Sequence, residues 1–205
     1  CEKTGVDIQD VYFGMGSDER NGERLLRAGP AYGGSCFPKD TRALIDTANR
    51  FKIDLSIVKK VVKSNEKRKL LLTNKVIKIL NKNLKNKIIT FLGVTFKPNT
   101  DDMREASSIP MMNFLSKKNC KIRYFDPSGK KKELDKIKNV QFYKNISSAC
   151  FKSDLIIIHT EWNVFKLLNF KNLVKKKNFS IYDMRNIYSP AKMKAMKIKY
   201  FGVGR

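Results

Sequence analysis

A thiol at Cys36 lies in the run GPAYGGSCFPKD, Gly29 to Asp40, with two glycines before it and a proline, a lysine and a carboxylate after it. Gly33 and Gly34 let backbone pass close to a ligand, and Pro38 suits the first turn of a helix, where its missing N–H is no loss. Cys36 then falls at the positive end of that helix, where a thiolate is favoured. Lys39 adds positive charge and Asp40 offers a group that handles protons or water, so the run reads as a presented nucleophile. A small buried cysteine near a turn is the bland alternative, and it needs neither the glycine pair nor the charged pair. Cys1, Cys120 and Cys150 form no CxxC with it, so neither a disulfide scaffold nor a metal site is expected. His159 is the single histidine.

Two regions must position this thiol. From residue 1 to 85 the pattern is helical: Asp7 suits an N-cap, the segment after Pro38 continues through Thr41, Leu44, Ile45, Ala48 and Phe51, and Ser56 to Leu80 reads as one long amphipathic helix. Its apolar residues include Ile57, Val58, Val61, Val62, Leu72, Val76, Ile79 and Leu80. Such a helix packs on a domain or a second subunit, so region 1–85 is read as a central helical, dimerising part. An asparagine-rich stretch, 81–86, reads as the linker.

Residues 86–205 alternate strand and helix. Ile88–Gly93, Lys121–Phe125, Val140–Tyr143, Asp154–His159 and Ser180–Asp183 read as strands, and Ser107–Lys117 as a helix. The expected fold class is α/β, a helical region followed by a Rossmann-like, doubly wound, mainly parallel sheet with ligands at the carboxyl ends of its strands. Polar motifs fall at those ends: FKPNTDD after the first strand, Asp126-Pro127, His159 to Trp162 and Asp183 to Asn186.

The 41% hydrophobic content suits a globular chain, and no apolar run approaches the roughly 18 residues of a membrane span, so no membrane partner and a cytoplasmic location are expected. Net charge is +24, from 43 basic and 19 acidic residues. The lysines are interleaved with asparagine in KNLKNKI and LVKKKN, without the arginine and aromatic interleaving of a base-stacking surface, so nucleic acid is not the expected partner. An anionic small molecule suits the charge better. The chain opens on Cys1 rather than methionine, which points to a fragment.

GPAYGGSCFPKD, FLGVTFKPNTDDMREASS, YFDPSG, HTEW, DMRN and a terminal FGVGR occur in this order across the whole chain. Together they resemble the central and carboxyl-terminal portion of the UDP-glucose 6-dehydrogenases, within the wider UDP-glucose/GDP-mannose dehydrogenase family. The resemblance implies an NAD-dependent enzyme that oxidises UDP-glucose twice at C6, to UDP-glucuronate, with Cys36 forming a thiohemiacetal and then a thioester. It implies that Asp40 assists with water or protons, although a first-turn carboxylate is favoured by the helix dipole in any case. As UDP-glucose contacts it implies Tyr32, Gly33, Gly34, Phe96, Lys97 and Arg185, with Arg20 reaching a neighbouring subunit's substrate in a homodimer. For NAD it implies Arg104, which among the acids of TDDMRE reads equally as a salt-bridge hub. His159 and Trp162 read as a packed, hydrogen-bonded core edge.

Two departures from the pattern stand out. Met184 replaces the glycine of the family's Asp-Gly-Arg sequence, and the GxGxxG turn that cradles a dinucleotide is absent; Gly14 to Gly16 follows a helical stretch and lacks the third glycine. The chain by itself is therefore expected to be inactive. A dehydrogenase of GDP-mannose or UDP-N-acetylmannosamine, or a non-catalytic nucleotide-sugar-binding module, are the alternatives.

Overall fold

Residues 1–22 and 26–205 are described by a computed structural model of the chain. Three helices come first. In α1, Ile8–Gly16, the Asp7 side chain accepts from the Gln9 N–H, the cap its position suggests. In α2, Cys36–Arg50, the thiol residue is the first helical residue and Pro38 lies in the first turn. α3, Ser56–Ile79, runs for 24 residues, about 36 Å at the usual rise per residue.

Six parallel strands follow: β1 (Ile88–Leu92), β2 (Lys121–Phe125), β3 (Val140–Phe142), β4 (Leu155–Ile158), β5 (Ser180–Asp183) and β6 (Lys199–Gly202), in the spatial order 3-2-1-4-5-6. Between them lie α4 (Ser108–Lys117), α5 (Ile146–Cys150), α6 (Phe170–Val174) and α7 (Pro190–Ala195). Every adjacent pair is parallel. This is the doubly wound order, whose connections reverse direction between β1 and β4 and leave a crevice at the carboxyl ends of those two strands.

β4 shows why an unbroken apolar run forms a strand here. Leu155 and Ile157 join the core on the side of α3 and α4, with Leu72, Val76, Phe91, Met111 and Leu115. Ile156 and Ile158 join the opposite core, with Phe165, Phe170, Val174 and Met193. A strand covered on both faces needs no polar alternation.

The apolar stripe read along α3 divides in two. Leu72, Val76 and Leu80 are buried against the sheet, whereas Ile57 and Val61 are 79% and 49% exposed. The stretch read as a linker is a turn tied to the sheet: Leu84 is buried, and the Asn86 N–H donates to the Asn119 carbonyl at 3.0 Å. Asn81, Lys82 and Asn86 all adopt left-handed backbone there. β6 has no counterpart among the strands expected from sequence. It is a four-residue edge strand with one buried residue, too short to show a period. It is fixed instead by the first residues of the chain. Glu2 accepts from the Gly204 N–H at 2.8 Å and from Lys75 Nζ of α3 at 2.7 Å, while Ile8 N–H donates to the Gly204 carbonyl at 2.9 Å and Arg205 pairs with Asp7 at 3.0 Å.

At the exit of β1, Gly93 has φ +75°, and a Cβ placed on it would lie 2.6 Å from the Thr160 Cβ. Both the backbone and the neighbour demand glycine. Gly93→Ala is expected to lower stability by about 1–3 kcal/mol in urea denaturation; an unchanged midpoint would refute the requirement.

Candidate active site

Cys36 is exposed, with its Sγ 3.7 Å from the Ser35 hydroxyl. Ser35 precedes the helix without capping it through its side chain, so the first N–H groups of α2 are left for whatever lies beside the thiol. Asp40 is one turn further along and so shares the helix face of Cys36. It is exposed and meets Lys39 Nζ at 3.4 Å.

The loop before the thiol is held by the sheet and by α3. Gly34, at φ +82°, donates its N–H to the Arg104 carbonyl at 2.8 Å, and a Cβ on it would meet the Phe96 ring at 2.8 Å. A Cβ on Gly33 would sit 2.7 Å from the Glu105 carbonyl oxygen. The two glycines are therefore required by close contact with Phe96 and Glu105 of this chain itself. Asn65 of α3 reads both backbone groups of Tyr32, accepting at 3.0 Å and donating at 3.1 Å, and Arg68 Nη2 donates to the Gly29 carbonyl at 3.2 Å. The Tyr32 ring packs on Phe37, the residue after the thiol, with centroids 5.7 Å apart.

The loop that receives these glycines follows β1. Lys97 Nζ lies 5.3 Å from the Phe96 ring centroid. Asp102 grips Arg104 through its backbone N–H at 2.8 Å and through Nε and Nη2 at 2.9 and 2.8 Å. That pairing raises the Arg104 guanidinium above its ordinary range, and the guanidinium lies within electrostatic reach of Cys36. Arg104 is the ion-pair partner of Asp102, and its backbone carbonyl holds the glycine loop two residues before the thiol.

The floor is a polar network linking the ends of β1, β4 and β5. Arg185 Nε donates to the His159 carbonyl at 2.9 Å and Nη2 to the Phe96 carbonyl at 2.8 Å, and the guanidinium lies 2.8 Å from Glu161. Gly29 packs against Nη1, where a Cβ would lie 3.2 Å away. Asp183 accepts the Arg185 N–H at 3.0 Å and the Tyr200 hydroxyl at 2.9 Å; burial nevertheless pushes its carboxyl upward. Met184 fills the core at 0% exposure without left-handed backbone, so no glycine is needed there.

His159 is fully buried and, as its sequence context suggests, hydrogen bonded. Its Nε2 is 2.8 Å from Ser107 Oγ and its Nδ1 3.2 Å from Thr160 Oγ1. The Thr160 hydroxyl donates to the Thr95 carbonyl at 2.7 Å, so it accepts from Nδ1–H, leaving Nε2 to accept from Ser107. The ring is a neutral tautomer, and burial pushes its pKa down to about 3.

Phe96 and the Arg104 carbonyl thus meet the Gly33–Gly34 backbone, Arg185 holds Phe96 and lies against Gly29, Lys97 lies over the Phe96 ring, and Asp40 is on the helix face of the thiol. Arg20 is not brought to them: its side chain is 89% exposed and pairs with Asp18 at 2.6 Å in its own loop. Asn65, Arg68, Lys69 and Glu105, which also build the site, were not singled out from sequence. Asn65, Arg68 and Lys69 are polar residues with no local motif, Glu105 stands inside TDDMRE only as one of its acids, and each acts on a partner far along the chain.

With this geometry in place, the comparisons with known proteins are direct. Residues 1–67 match the central domain, and residues 90–190 the UDP binding domain, of the UDP-glucose/GDP-mannose dehydrogenase family. Curated relatives include the UDP-glucose 6-dehydrogenase of Rickettsia prowazekii, 41% identical over 210 residues, and that of Bacillus subtilis, 39% identical over 211 residues. Both alignments take in 100% of this chain but 48% and 47% of the relative, so the chain spans about half the length of the curated relatives it matches. Among solved structures, a UDP-glucose dehydrogenase from Pyrobaculum islandicum superposes with a TM-score of 0.83 at 27% identity, over 98% of this chain and 44% of that one. A second, the NDP-N-acetyl-D-galactosaminuronic acid dehydrogenase of Methanosarcina mazei, gives 0.84 at 23% identity over 98% and 44%, and shares the fold. The chain belongs to the UDP-glucose/GDP-mannose dehydrogenase family.

The buried imidazole makes a measurable demand on pH. In the unfolded chain His159 binds a proton as pH falls through 6.5, whereas the folded state refuses it until about 3. Between these values the unfolded state holds more protons, so stability falls as pH drops, by about 1.4 kcal/mol per unit for this one group. Replacement by a non-titrating residue, His159→Gln, is expected to flatten the pH dependence of the urea midpoint between pH 6.5 and 4 relative to the parent; equal slopes would refute the neutral, buried assignment.

Proposed function

We propose that this chain is the central and substrate-binding part of an NAD-dependent UDP-glucose 6-dehydrogenase. The observation that carries the reading is an exposed thiol at the first residue of α2, directly after a glycine loop that packs on Phe96 and on the Arg104–Glu105 turn at the strand carboxyl ends. The alignment of the whole chain with about half of each relative bearing that activity supports it.

In this reading the sugar nucleotide lies across the Tyr32–Gly34 loop and the Phe96–Lys97 segment, its phosphates drawn to Lys97 and Arg185. Arg185 is oriented before any ligand arrives, because two backbone carbonyls already hold it. The Cys36 thiolate, beside the Arg104 guanidinium and the N-terminus of α2, adds to the C6 aldehyde. A C–S bond forms and the carbonyl oxygen takes a proton, giving a thiohemiacetal. Loss of the C6 hydride together with the hydroxyl proton turns this into a thioester. Water then attacks the thioester carbon with Asp40 receiving its proton, the C–S bond breaks, and the thiolate leaves as the carboxylate forms. A sulfur suits the task, since the aldehyde stays covalently held between the oxidations and the thioester remains hydrolysable.

NAD⁺, when bound, supplies the hydride acceptor. The residues present fit one edge of it: Arg104 is 68% exposed beside the thiol and braced by Asp102, a fixed cation open to an anionic cofactor. Cys36→Ser in the full-length protein is expected to abolish net NADH formation while UDP-glucose binding by calorimetry persists; retained turnover would end the covalent reading. Substituting GDP-mannose or UDP-N-acetylmannosamine in the same assay reports on the base and the sugar.

A homodimer goes with this reading. The helical region exposes Phe13, Leu44, Phe51, Ile57, Val61, Leu70 and Leu71, more apolar surface than a lone helical layer leaves in water. Ile57 and Val61 share one face of α3. The double substitution Ile57→Asp with Val61→Asp is expected to convert a dimer to a monomer in light scattering, and an unchanged mass would place the interface elsewhere. A cytoplasmic location accompanies the proposal, and no helix among the described residues is long and apolar enough to cross a membrane.

A further inference from the structure

Glu105 follows Arg104 and holds its backbone at φ +55°, a conformation that glycine or asparagine adopts more readily than glutamate. Glutamate at such a position calls for a reason, and its carboxylate supplies one. Oε1 accepts from Arg42 Nη1 of α2 at 3.0 Å, and Oε2 from Lys69 Nζ of α3 at 3.3 Å. Lys69 is itself nearly buried, with 9% of its side chain exposed, and bonds Glu66 at 2.8 Å. The same residue's carbonyl oxygen forms the surface against which Gly33 packs, and the carbonyl just before it accepts the Gly34 N–H at 2.8 Å. One residue thus touches the glycine loop with its backbone and both helices beneath that loop with its side chain.

We infer that Glu105 is a positioning residue for Cys36: its carboxylate pins the turn after β1 to α2 and α3 and so holds the Gly33–Cys36 loop in register with the Arg104–Glu105 turn. The role in catalysis rests on the dehydrogenase reading above; the clamp itself does not. The left-handed turn aims the Glu105 carbonyl at Gly33 while directing the side chain back beneath the loop, where Arg42 and Lys69 converge on it. These two cations hold its carboxyl below the ordinary carboxylate range, so the clamp stays charged across neutral pH. Cut on either side, the loop keeps its sequence and loses its register with Arg104.

The clamp can be read from thiol chemistry without turnover. In a Cys1→Ser background Cys36 is the single exposed thiol, since Cys120 and Cys150 are buried and burial pushes them up to about 11 and 12. The rate of Cys36 alkylation by iodoacetamide, followed by intact mass, is expected to fall several-fold in Glu105→Gln. Cys36 is exposed already, so loosening cannot speed the reaction by uncovering it. Glu105→Gly relieves the backbone but removes the carboxylate, and is expected to be as slow as Glu105→Gln; a rate equal to the parent would overturn the clamp in favour of backbone shape alone. Should Glu105→Gln fail to fold, Arg42→Gln removes one partner from the half-exposed side of α2, and the same slowing is expected. In the full-length protein kcat is expected to fall on the order of 10²-fold with KM for UDP-glucose moved far less, and Glu105→Asp is expected to recover part of the loss. Unchanged alkylation in folded Glu105→Gln overturns the inference. Slowed alkylation in a full-length parent that has no activity on UDP-glucose would uphold the clamp and reject the dehydrogenase reading.

Discussion

Everything at the site depends on how closely the Gly33–Gly34 backbone approaches the Phe96 ring and the Glu105 carbonyl. A single methyl group at either glycine would overlap these neighbours, at 2.8 Å from the ring or 2.7 Å from the oxygen. With both glycines in place, the thiol on α2 is brought onto a sheet that begins fifty residues later in the chain. Packing of this kind has little give, because protein interiors are near crystal density and the contacted groups are themselves fixed. Phe96 is held through its carbonyl by Arg185, and Glu105 through its carboxylate by Arg42 and Lys69.

Beneath that contact the strand ends form a dry electrostatic floor. Neutral His159, the Thr160 hydroxyl, Asp126, Asp183 and Arg185 satisfy one another or nearby backbone, with Asp126 accepting the Val94 N–H at 2.8 Å. Buried polar groups are costly when unpaired and rigid when paired, so a network of this kind holds the exits of β1, β4 and β5 in one arrangement. The crevice that the doubly wound order creates is thereby stiffened from below and closed from one side by the glycine loop. The groups left exposed above it are the thiol, Asp40, Lys97 and the outward face of Arg104.

Much of this was legible in the sequence. β2 and β5 fall on their expected residues, Asp7 caps α1, and Cys36 opens a helix with proline in its first turn, because strand runs, caps and helix starts are local properties. The family motifs marked the crevice for the same reason, as short polar words at strand ends. What escaped was set by distance along the chain. Asn65 acts on Tyr32 from 33 residues away without any motif signal, and Glu105, although it lies within TDDMRE, acts on Arg42 from 63, a pairing that no local motif records. The apolar stripe of α3 was visible, but its division into a buried half and an exposed half reflects where the sheet ends, which no helical period records. The glycine pair was legible as a place of close backbone approach, but its contact with Phe96 was not, since that aromatic ring lies some sixty residues downstream.

The left-handed corners of the fold have a consequence for how such a lysine- and asparagine-rich chain keeps its shape. Among the described residues, Asn81, Asn86, Asn99, Asn119, Asn139 and Asn186 take positive φ, and so do Lys52, Lys82, Lys152, Lys175 and Lys197. Asparagine is the residue other than glycine that best tolerates this conformation, so an asparagine-rich composition suits these corners. Lysine has no such aptitude, and each of its five corners retains strain of about 1 kcal/mol that a glycine would release. The asparagine corners thus cost little, whereas the five lysine corners, all exposed, are positions at which glycine would add stability.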